Sequence, residues 1–598
     1  MSHKEFQEEE YSKPFDFRLW RKVISCLTPY RKNLIWLILV MISTGGVDAI
    51  LPLFTLYAID NYVTPCKVES LPIFAGVYFI IVMLQAVNVW FLISIAGNIE
   101  WCLAYDIRRK GFHKLQELSF SYFDRTPVGW LMARMTSDCE RLVNMVSWGI
   151  VDIIWGFTMM IGISVIMIFL NWKLALIVLS VIPILIWVSG KFQCLILRSY
   201  REIRKVNSRI TGAFNEGIMG VNTTKTLARE RENLGEFKEL TYKMRHSSVK
   251  AAIASALYLP IVLLIGTIGC GIALWFGGKG VIAGVITYGT LVAFIAYTLK
   301  LFEPIQQLAR IFAELQNAQA SAERIFSMIE TEPEIKDNKD CIASVNTKIK
   351  GDVEFINVGF HYKNGKKVLE SFNLKVNAGE TIALVGQSGG GKSTIVNLAC
   401  RFYQPTSGKI LVDGINYDKY SLQGFQSNLG VVLQKPHLFS GSIKENIRYG
   451  SLDASDDEVK RAAKLVKAHE FIMGFENGYD TYIGAGGSLL STGQKQLLSF
   501  ARAILADPSI FIMDEATSSV DTQTEHLIQY ALEKILKNRT SFIIAHRLST
   551  VKSADRILVV VNGEIIEEGN HSKLIKQMGY YYKLYTNQYI NQSSLTLI

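Results

Sequence analysis

Six apolar stretches occupy the first half of the chain: 34–57, 71–97, 145–170, 173–196, 252–276 and 281–304. Each is longer than the roughly 20 residues a helix needs to cross a bilayer. Only Asn171–Trp172 separates the third from the fourth, which predicts a tight turn. The run Gly277–Gly280 predicts another between the fifth and sixth. Segments 98–144 and 197–251 carry charge alternating with apolar positions at three- and four-residue spacing, so they read as helices that prolong the spans. Residues 15–30 look amphipathic, with Trp20, Ile24 and Leu27 on one face and Arg18, Arg21 and Lys22 on the other. They suit either a helix lying on the inner membrane surface or an extension of the first span. The polar run 331–350 reads as a linker. Beyond it no stretch is long enough to span. Short β-branched runs at Val353–Phe355, Thr381–Val385, Ile510–Met513, Ser541–Ala545 and Ile557–Val560 alternate with helical patterns. That alternation predicts an α/β domain with a largely parallel sheet. The expected chain is therefore multidomain: a six-helix all-α transmembrane domain with long cytoplasmic helix extensions (1–330), the linker, and an α/β domain (351–590).

Charge fixes the orientation. Arg108, Arg109, Lys110, Lys114, Arg125, Arg134 and Arg141 crowd the first long loop, and Arg198, Arg201, Arg204, Lys205 and Arg209 the second. The three short loops hold single lysines, Lys67, Lys173 and Lys279. The positive-inside rule puts both long loops and both termini in the cytoplasm of a multi-pass cell-membrane protein. The net charge of +10, with 49% hydrophobic and 19% charged residues, is then a membrane signature, and no nucleic acid is expected as a partner. Eight dispersed cysteines without a CxxC pair suit neither a disulfide framework nor a zinc site. Residues 1–16 lack an apolar signal-peptide core, so the first span is expected to serve as the insertion signal.

The strongest chemical motif is Gly386-Gln387-Ser388-Gly389-Gly390-Gly391-Lys392-Ser393-Thr394, which comes after the strand pattern TIALV and precedes a helical one. The glycines let backbone N–H groups turn inward around phosphate oxygens, and the helix N-terminus adds partial positive charge. Lys392 is placed to reach the β- and γ-phosphates, and Ser393 to ligate Mg2+. The second motif is the apolar run Ile510–Met513 ending in Asp514 and Glu515. Asp514 is placed to hold Mg2+ through water, and Glu515 to polarise the attacking water.

With these in place the chain resembles the ATP-binding cassette (ABC) family, because Leu490-Ser491-Thr492-Gly493-Gln494 is similar to that family's LSGGQ signature. The resemblance implies further roles: Tyr362 stacking on adenine, Gln434 as the Q-loop glutamine and an Mg2+ ligand, Ser518–Asp521 as the D-loop, and His546 as the switch histidine. Taken singly, Tyr362 reads as a strand aromatic and His546 as a structural histidine; their joint order and spacing remove that alternative. Ser121–Arg141 and Glu216–Glu230 resemble the two cytoplasmic loops of exporter-type half-transporters. The implied cofactors are ATP and Mg2+. Each ATP would lie between the phosphate loop of one cassette and the signature, Ser491 to Gln494, of another, so a second half-transporter is implied.

Two departures from the family pattern stand out. Thr492 replaces a glycine of the signature, and Ala485 and Gly486 replace the Glu and Arg of a GERG-like segment, whereas Glu515 and His546 are kept. This resembles the catalytically competent subunit of a heterodimeric exporter, with a homodimer as the alternative. Asp48 and Asp152 fall within apolar spans, where an acidic group either marks a site for cationic cargo or pairs with a neighbouring helix. The expected activity is ATP-driven efflux of lipophilic or amphipathic compounds. The alternatives are a lipid flippase, a peptide exporter, an importer on the same fold, or an ATP-gated channel or regulator.

Overall fold

Hydrocarbon offers a backbone amide no partner outside its own helix, so the apolar segments have one available form. The computed structural model describes residues 16–66, 69–337, 341, 348–362, 365, 367–434, 436–514, 522–545 and 551–595. They form two compact units: Met1–Glu117 with Thr126–Thr331, and Leu118–Arg125 with Glu332–Ile598. In the first unit the helices are α1 (Phe17–Ser25), α2 (Arg31–Ala58) and α3 (Leu71–Glu117). After α4 (Phe120–Phe123), which falls in the second unit, come α5 (Val128–Ala133), α6 (Cys139–Leu179), α7 (Val181–Met219) and α8 (Val221–Thr226). The unit ends with α9 (Glu230–Ile282), α10 (Tyr288–Lys300) and α11 (Phe302–Glu330). Among the described residues, five helical stretches are long and apolar enough to cross a membrane: Thr28–Val63, Leu71–Glu117, Val128–Leu179, Val181–Met219 and Glu230–Ile282. The sixth expected span, 281–304, falls across the end of α9, the 13 residues of α10 and the start of α11; α10 is too short to qualify, and α11, at 29 residues, is long enough but is not one of the five apolar stretches. At 47 and 53 residues, α3 and α9 are about twice the length a crossing needs.

The two expected turns fared differently. At Asn171 the backbone leaves the helix (φ −159°, ψ 103°), and the Asn171 Oδ1 accepts from Leu174 N at 3.0 Å, capping the helical stretch that resumes there. At Gly277–Gly280 there is no turn: α9 runs through to Ile282, and the chain reverses only after it, with Gly284 at φ +72°. Gly277 and Gly280 serve packing. A Cβ on Gly277 would stand 2.6 Å from Leu291 Cδ1. The buried stripe is Leu19 and Val23 of α1, with Leu27 just beyond it, rather than the expected Trp20, Ile24 and Leu27; Ile24 is 60% exposed.

The two acidic groups in the spans meet polar groups of neighbouring helices. Asp48 accepts from Gln85 Nε2 of α3 (3.0 Å) and Trp155 Nε1 of α6 (3.1 Å), and its carbonyl accepts from Lys300 Nζ of α10 (3.0 Å). Asp152 faces Arg310 Nη2 of α11 at 3.5 Å. Helix-to-helix pairing is thus the observed state of both acids. A tighter clasp sits where α6 begins. Asp138 accepts from Arg324 Nε (2.8 Å) and Nη2 (2.6 Å) of α11 and from Ser321 Oγ (2.9 Å). Both charged side chains are largely buried, at 6% and 15% exposure.

The second unit is α/β, as its apolar runs predict. A six-stranded sheet has the order β10-β9-β3-β8-β7-β6. Its strands are β3 (Thr381–Val385), β6 (Leu429–Val432), β7 (Ile510–Asp514), β8 (Thr540–Ile544), β9 (Arg556–Val561) and β10 (Glu564–Gly569). All neighbours are parallel except β9 and β10. Strands β3 and β8 are buried throughout, which is why they read as continuous apolar runs rather than alternating ones. A second, antiparallel sheet of order β2-β1-β4-β5 comprises β1 (Val353–His361), β2 (Lys367–Val376), β4 (Ser407–Val412) and β5 (Ile415–Asn416). Its half-exposed strands left only β1 visible in the apolar pattern.

Replacing Asp138 by Ala leaves the Arg324 guanidinium buried without its carboxylate. Breaking a buried pair this way costs about 3–5 kcal/mol. A clear fall in the thermal unfolding midpoint of the purified protein is expected. Breaking the exposed Lys243–Glu239 pair is expected to leave it unmoved.

Candidate active site

Parallel strands deliver their C-terminal ends to one edge of the sheet, and ligands of open α/β sheets bind there. From that edge β3 runs into the glycine loop and then α12 (Lys392–Ala399). Gly386, Gly389 and Gly391 have φ of +143°, +83° and +102°. At Gly386 a Cβ would also collide with the Val560 carbonyl, so neither the angle nor the space admits a side chain. The Gly390 carbonyl accepts from Gly563 N (2.9 Å), which ties the loop to the β9–β10 turn. The first N–H groups of α12 have no intrahelical acceptor, and the helix dipole adds to their pull on an anion.

Lys392, 6% exposed, donates from Nζ to the carbonyls of Gly386 (2.8 Å) and Gln387 (2.7 Å). Burial pulls its pKa below the ordinary lysine value, and the charge of Asp514 partly offsets that. Ser393 is exposed at the second helical position. Asp514 ends β7, two strands from β3 across β8. Gln434 lies two residues beyond Val432 of β6, the residue paired with Met513 of β7. Lys392, Ser393, Asp514 and Gln434 therefore share one sheet edge. The donor set fits a magnesium nucleotide: a cradle that a Cβ would fill, an ammonium, a hydroxyl, a carboxylate and an amide. Glu515, Ser518–Asp521 and His546 lie outside the described residues; Glu515 directly succeeds the end of β7, and His546 comes after Ala545, whose N–H donates to the Leu384 carbonyl of β3 (3.2 Å).

Tyr362 comes directly after β1, 36% exposed, with its hydroxyl 3.2 Å from Thr394 Oγ1 of α12. Its ring packs edge-on against Phe360 (4.9 Å) and Tyr403 (5.3 Å). It lines a cavity of about 610 Å³ with Tyr403, Asp124 and Arg125. The Tyr403 hydroxyl donates to Asp124. Burial and that carboxylate both push the phenol pKa upward. Phe120 stacks near Phe402 (4.2 Å), and Arg125 Nη2 meets Glu334 Oε1 at 2.9 Å. The segment Leu118–Arg125 is thus gripped beside Tyr362. Sequence reasoning missed Tyr403, because an aromatic after a helix carries no signal until the fold brings Tyr362 to it.

The signature belongs to another helix. Ser491 caps α13 (Thr492–Leu505) in a capping box: its Oγ accepts from Gln494 N (3.2 Å), and its N–H donates to Gln494 Oε1 (3.0 Å). Ser491 and Thr492 are exposed and Gly493 is buried. Thr492 occupies the first helical position, where a β-branched residue needs no unusual φ, so the glycine of the family pattern is not demanded by this chain's own backbone. Gly486, by contrast, sits at φ +64°, in the left-handed region. Among the described residues no hydrogen bond joins Ser491–Gln494 to Gly386–Thr394.

Comparison with known proteins accords with this layout. Residues 34–305 match the model of the ABC transporter transmembrane region, and residues 369–518 that of the ABC transporter domain. An uncharacterized ABC transporter ATP-binding protein, YknV of Bacillus subtilis (strain 168), is 36% identical over 97% of this chain and 96% of its own. An ATP-dependent lipid A-core flippase of Syntrophus aciditrophicus (strain SB) is 33% identical over 96% and 94%. The solved structure of a bacterial Atm1-family ABC exporter with ATP bound superposes with a TM-score of 0.77 at 26% identity, covering 93% of this chain and 98% of that one.

Lys392→Ala is expected to weaken ATP binding by roughly 10- to 150-fold, the equivalent of the about 1.5–3 kcal/mol that a hydrogen bond to a charged group contributes. Titration with a fluorescent ATP analogue, in the absence of turnover, checks it; an unchanged affinity would remove Lys392 from the site.

Proposed function

The chain belongs to the ABC transporter family as an exporter-type half-transporter, a multi-pass membrane protein that couples ATP hydrolysis to transport. From that premise we propose that it exports lipophilic or amphipathic compounds as the hydrolysis-competent half of a heterodimer. The observation that carries the pairing is the exposed Ser491–Thr492 cap of α13, a helix of 14 residues. Its first-turn N–H groups and dipole suit a phosphate, yet among the described residues they are bonded to nothing in their own cassette's glycine loop. A partner's nucleotide would complete them, and a partner's signature would complete Lys392, Asp514 and Gln434 here.

In this reading Tyr362 stacks on adenine, Gly386–Thr394 enclose the phosphates, and Ser393, Gln434 and Asp514 hold Mg2+, Asp514 through water. The metal supplies charge neutralisation between the phosphates. Glu515 polarises the attacking water, His546 stabilises the charge that develops, and Asp521 belongs to the loop that meets the partner. The heterodimer is supported by the pairing of kept groups, Glu515 and His546, with an altered signature at Thr492 and Gly486. Amphipathic cargo is supported by spans rich in exposed apolar surface, such as Trp90, Phe157, Trp187 and Leu263. Lipid translocation is the second reading, favoured by the full-length similarity to a protein named as a lipid A-core flippase.

Glu515→Gln is expected to keep ATP binding and cut hydrolysis by about 100- to 10,000-fold, the usual contribution of a positioned base. Wild-type turnover in the assembled transporter would reject the assignment. Thr492→Gly separates the two assemblies. In a heterodimer this signature faces a site that turns over little, so steady-state hydrolysis should barely change. In a homodimer it faces both working sites, and a barrier change of about 1 kcal/mol alters turnover roughly fivefold. The chain purified alone, hydrolysing ATP vigorously and responding to Thr492→Gly, would overturn the heterodimer.

A further inference from the structure

A groove of about 570 Å³ opens between the end of α2 and the beginning of α3. Leu53, Phe54 and Tyr57 line it from α2, and Ile73, Phe74 and Val77 from α3; among the described residues none of its lining side chains is charged. The rings of Tyr57 and Phe74 stack at 5.7 Å and 21°, forming a flat wall, with Tyr62 packed on Phe74 at 5.5 Å. Arg31 and Lys32 open α2 at its cytoplasmic end, so the groove lies in the extracytoplasmic half of the bilayer. The Tyr62 hydroxyl, 3.4 Å from the Ser70 carbonyl, places an amphipathic ring at the headgroup level.

The groove is continuous with the most open apolar face of the protein. Only 11% of the apolar window of α3 is buried, and Phe79, Ile80 and Met83 lead away from the groove along exposed positions. Apart from Tyr57, Tyr62 and Ser70, the lining offers water no polar side chain. An empty space forfeits the dispersion contacts of every atom around it. In lipid there is no hydrophobic gain from burying one apolar surface against another, so shape selects the occupant. The volume is that of a small-ligand pocket, about 300–1,000 Å³, and a flexible linear hydrocarbon is the shape that enters sideways from the bilayer.

We propose that this groove seats one acyl chain of a phospholipid from the extracytoplasmic leaflet, as a site separate from the path of transported cargo. The proposal stands whether or not the cargo reading holds, because its test reads lipid contact and not transport. The assembled transporter is placed in nanodiscs of phosphatidylglycerol and phosphatidylethanolamine that include a phospholipid with a diazirine midway along one chain. After irradiation, adducts are mapped by mass spectrometry. Adducts at Leu53, Tyr57 and Phe74 are expected to exceed those at Phe169 and Ile282, which are 87% and 90% exposed, roughly fivefold or more, the ratio given by about 1 kcal/mol of preference. Filling the groove with Ile73→Trp and Val77→Trp should erase the excess, and Leu53→Ala, which deepens it, should retain it at Tyr57 and Phe74. Adducts no denser in the groove than at Phe169 and Ile282 in the wild-type protein would overturn the proposal by themselves, whatever the variants do. So would chemical cross-links tying residues 53–77 to a second copy or a partner half across the groove.

Discussion

Every backbone N–H and C=O inside hydrocarbon must find its partner within the protein, and the membrane unit is organised around that demand. It makes each crossing a helix and lets the helix continue into water without a break, so that α3 and α9 run for 47 and 53 residues. The same demand governs side chains. Asp48 would be costly alone at that depth; it is held by an amide, an indole and, through its carbonyl, an ammonium, each from a different helix. Where α6 begins, Asp138 and Arg324 repeat the solution with a bidentate charge pair, which also fixes how α6 meets α11.

The cassette meets a different demand, that of holding concentrated negative charge without a dedicated positive cavity. It does so mostly with backbone. Gly386, Gly389 and Gly391 take positive φ, and Lys392 adds one ammonium whose charge is already under pressure from burial. The sheet edge then gathers a carboxylate and an amide from β7 and β6 without any of these residues being close in sequence. The segment Leu118–Arg125 is bound beside Tyr362 through Tyr403 and Asp124.

Much of this was legible from spacing, because each signal rests on local physics. An apolar run longer than the bilayer has to be a helix. A glycine loop between strand and helix has few other uses. Asn171 marked its turn because an Asn side chain caps the next helix. The failures share a cause. Gly277–Gly280 has the composition of a turn, but the lack of a Cβ is used against Leu291, and α9 continues. The face of α1 was misassigned because both its stripes are apolar, and only packing says that Val23 turns inward while Ile24 stays out.

The sequence by itself determined the helical membrane region, its orientation, the α/β cassette and the family, since hydropathy, charge asymmetry and a contiguous motif act within a few residues of one another. Tertiary structure decided what depends on distance between remote residues. It showed that Asp48 and Asp152 are paired, that Thr492 sits without strain at a helix start, and that Tyr403 reaches Asp124. It also left a groove between α2 and α3 that no pattern along the chain announces. Contact energies between such residues depend on where the helices and strands come to rest, and that is a property of the whole packed chain rather than of any window in it.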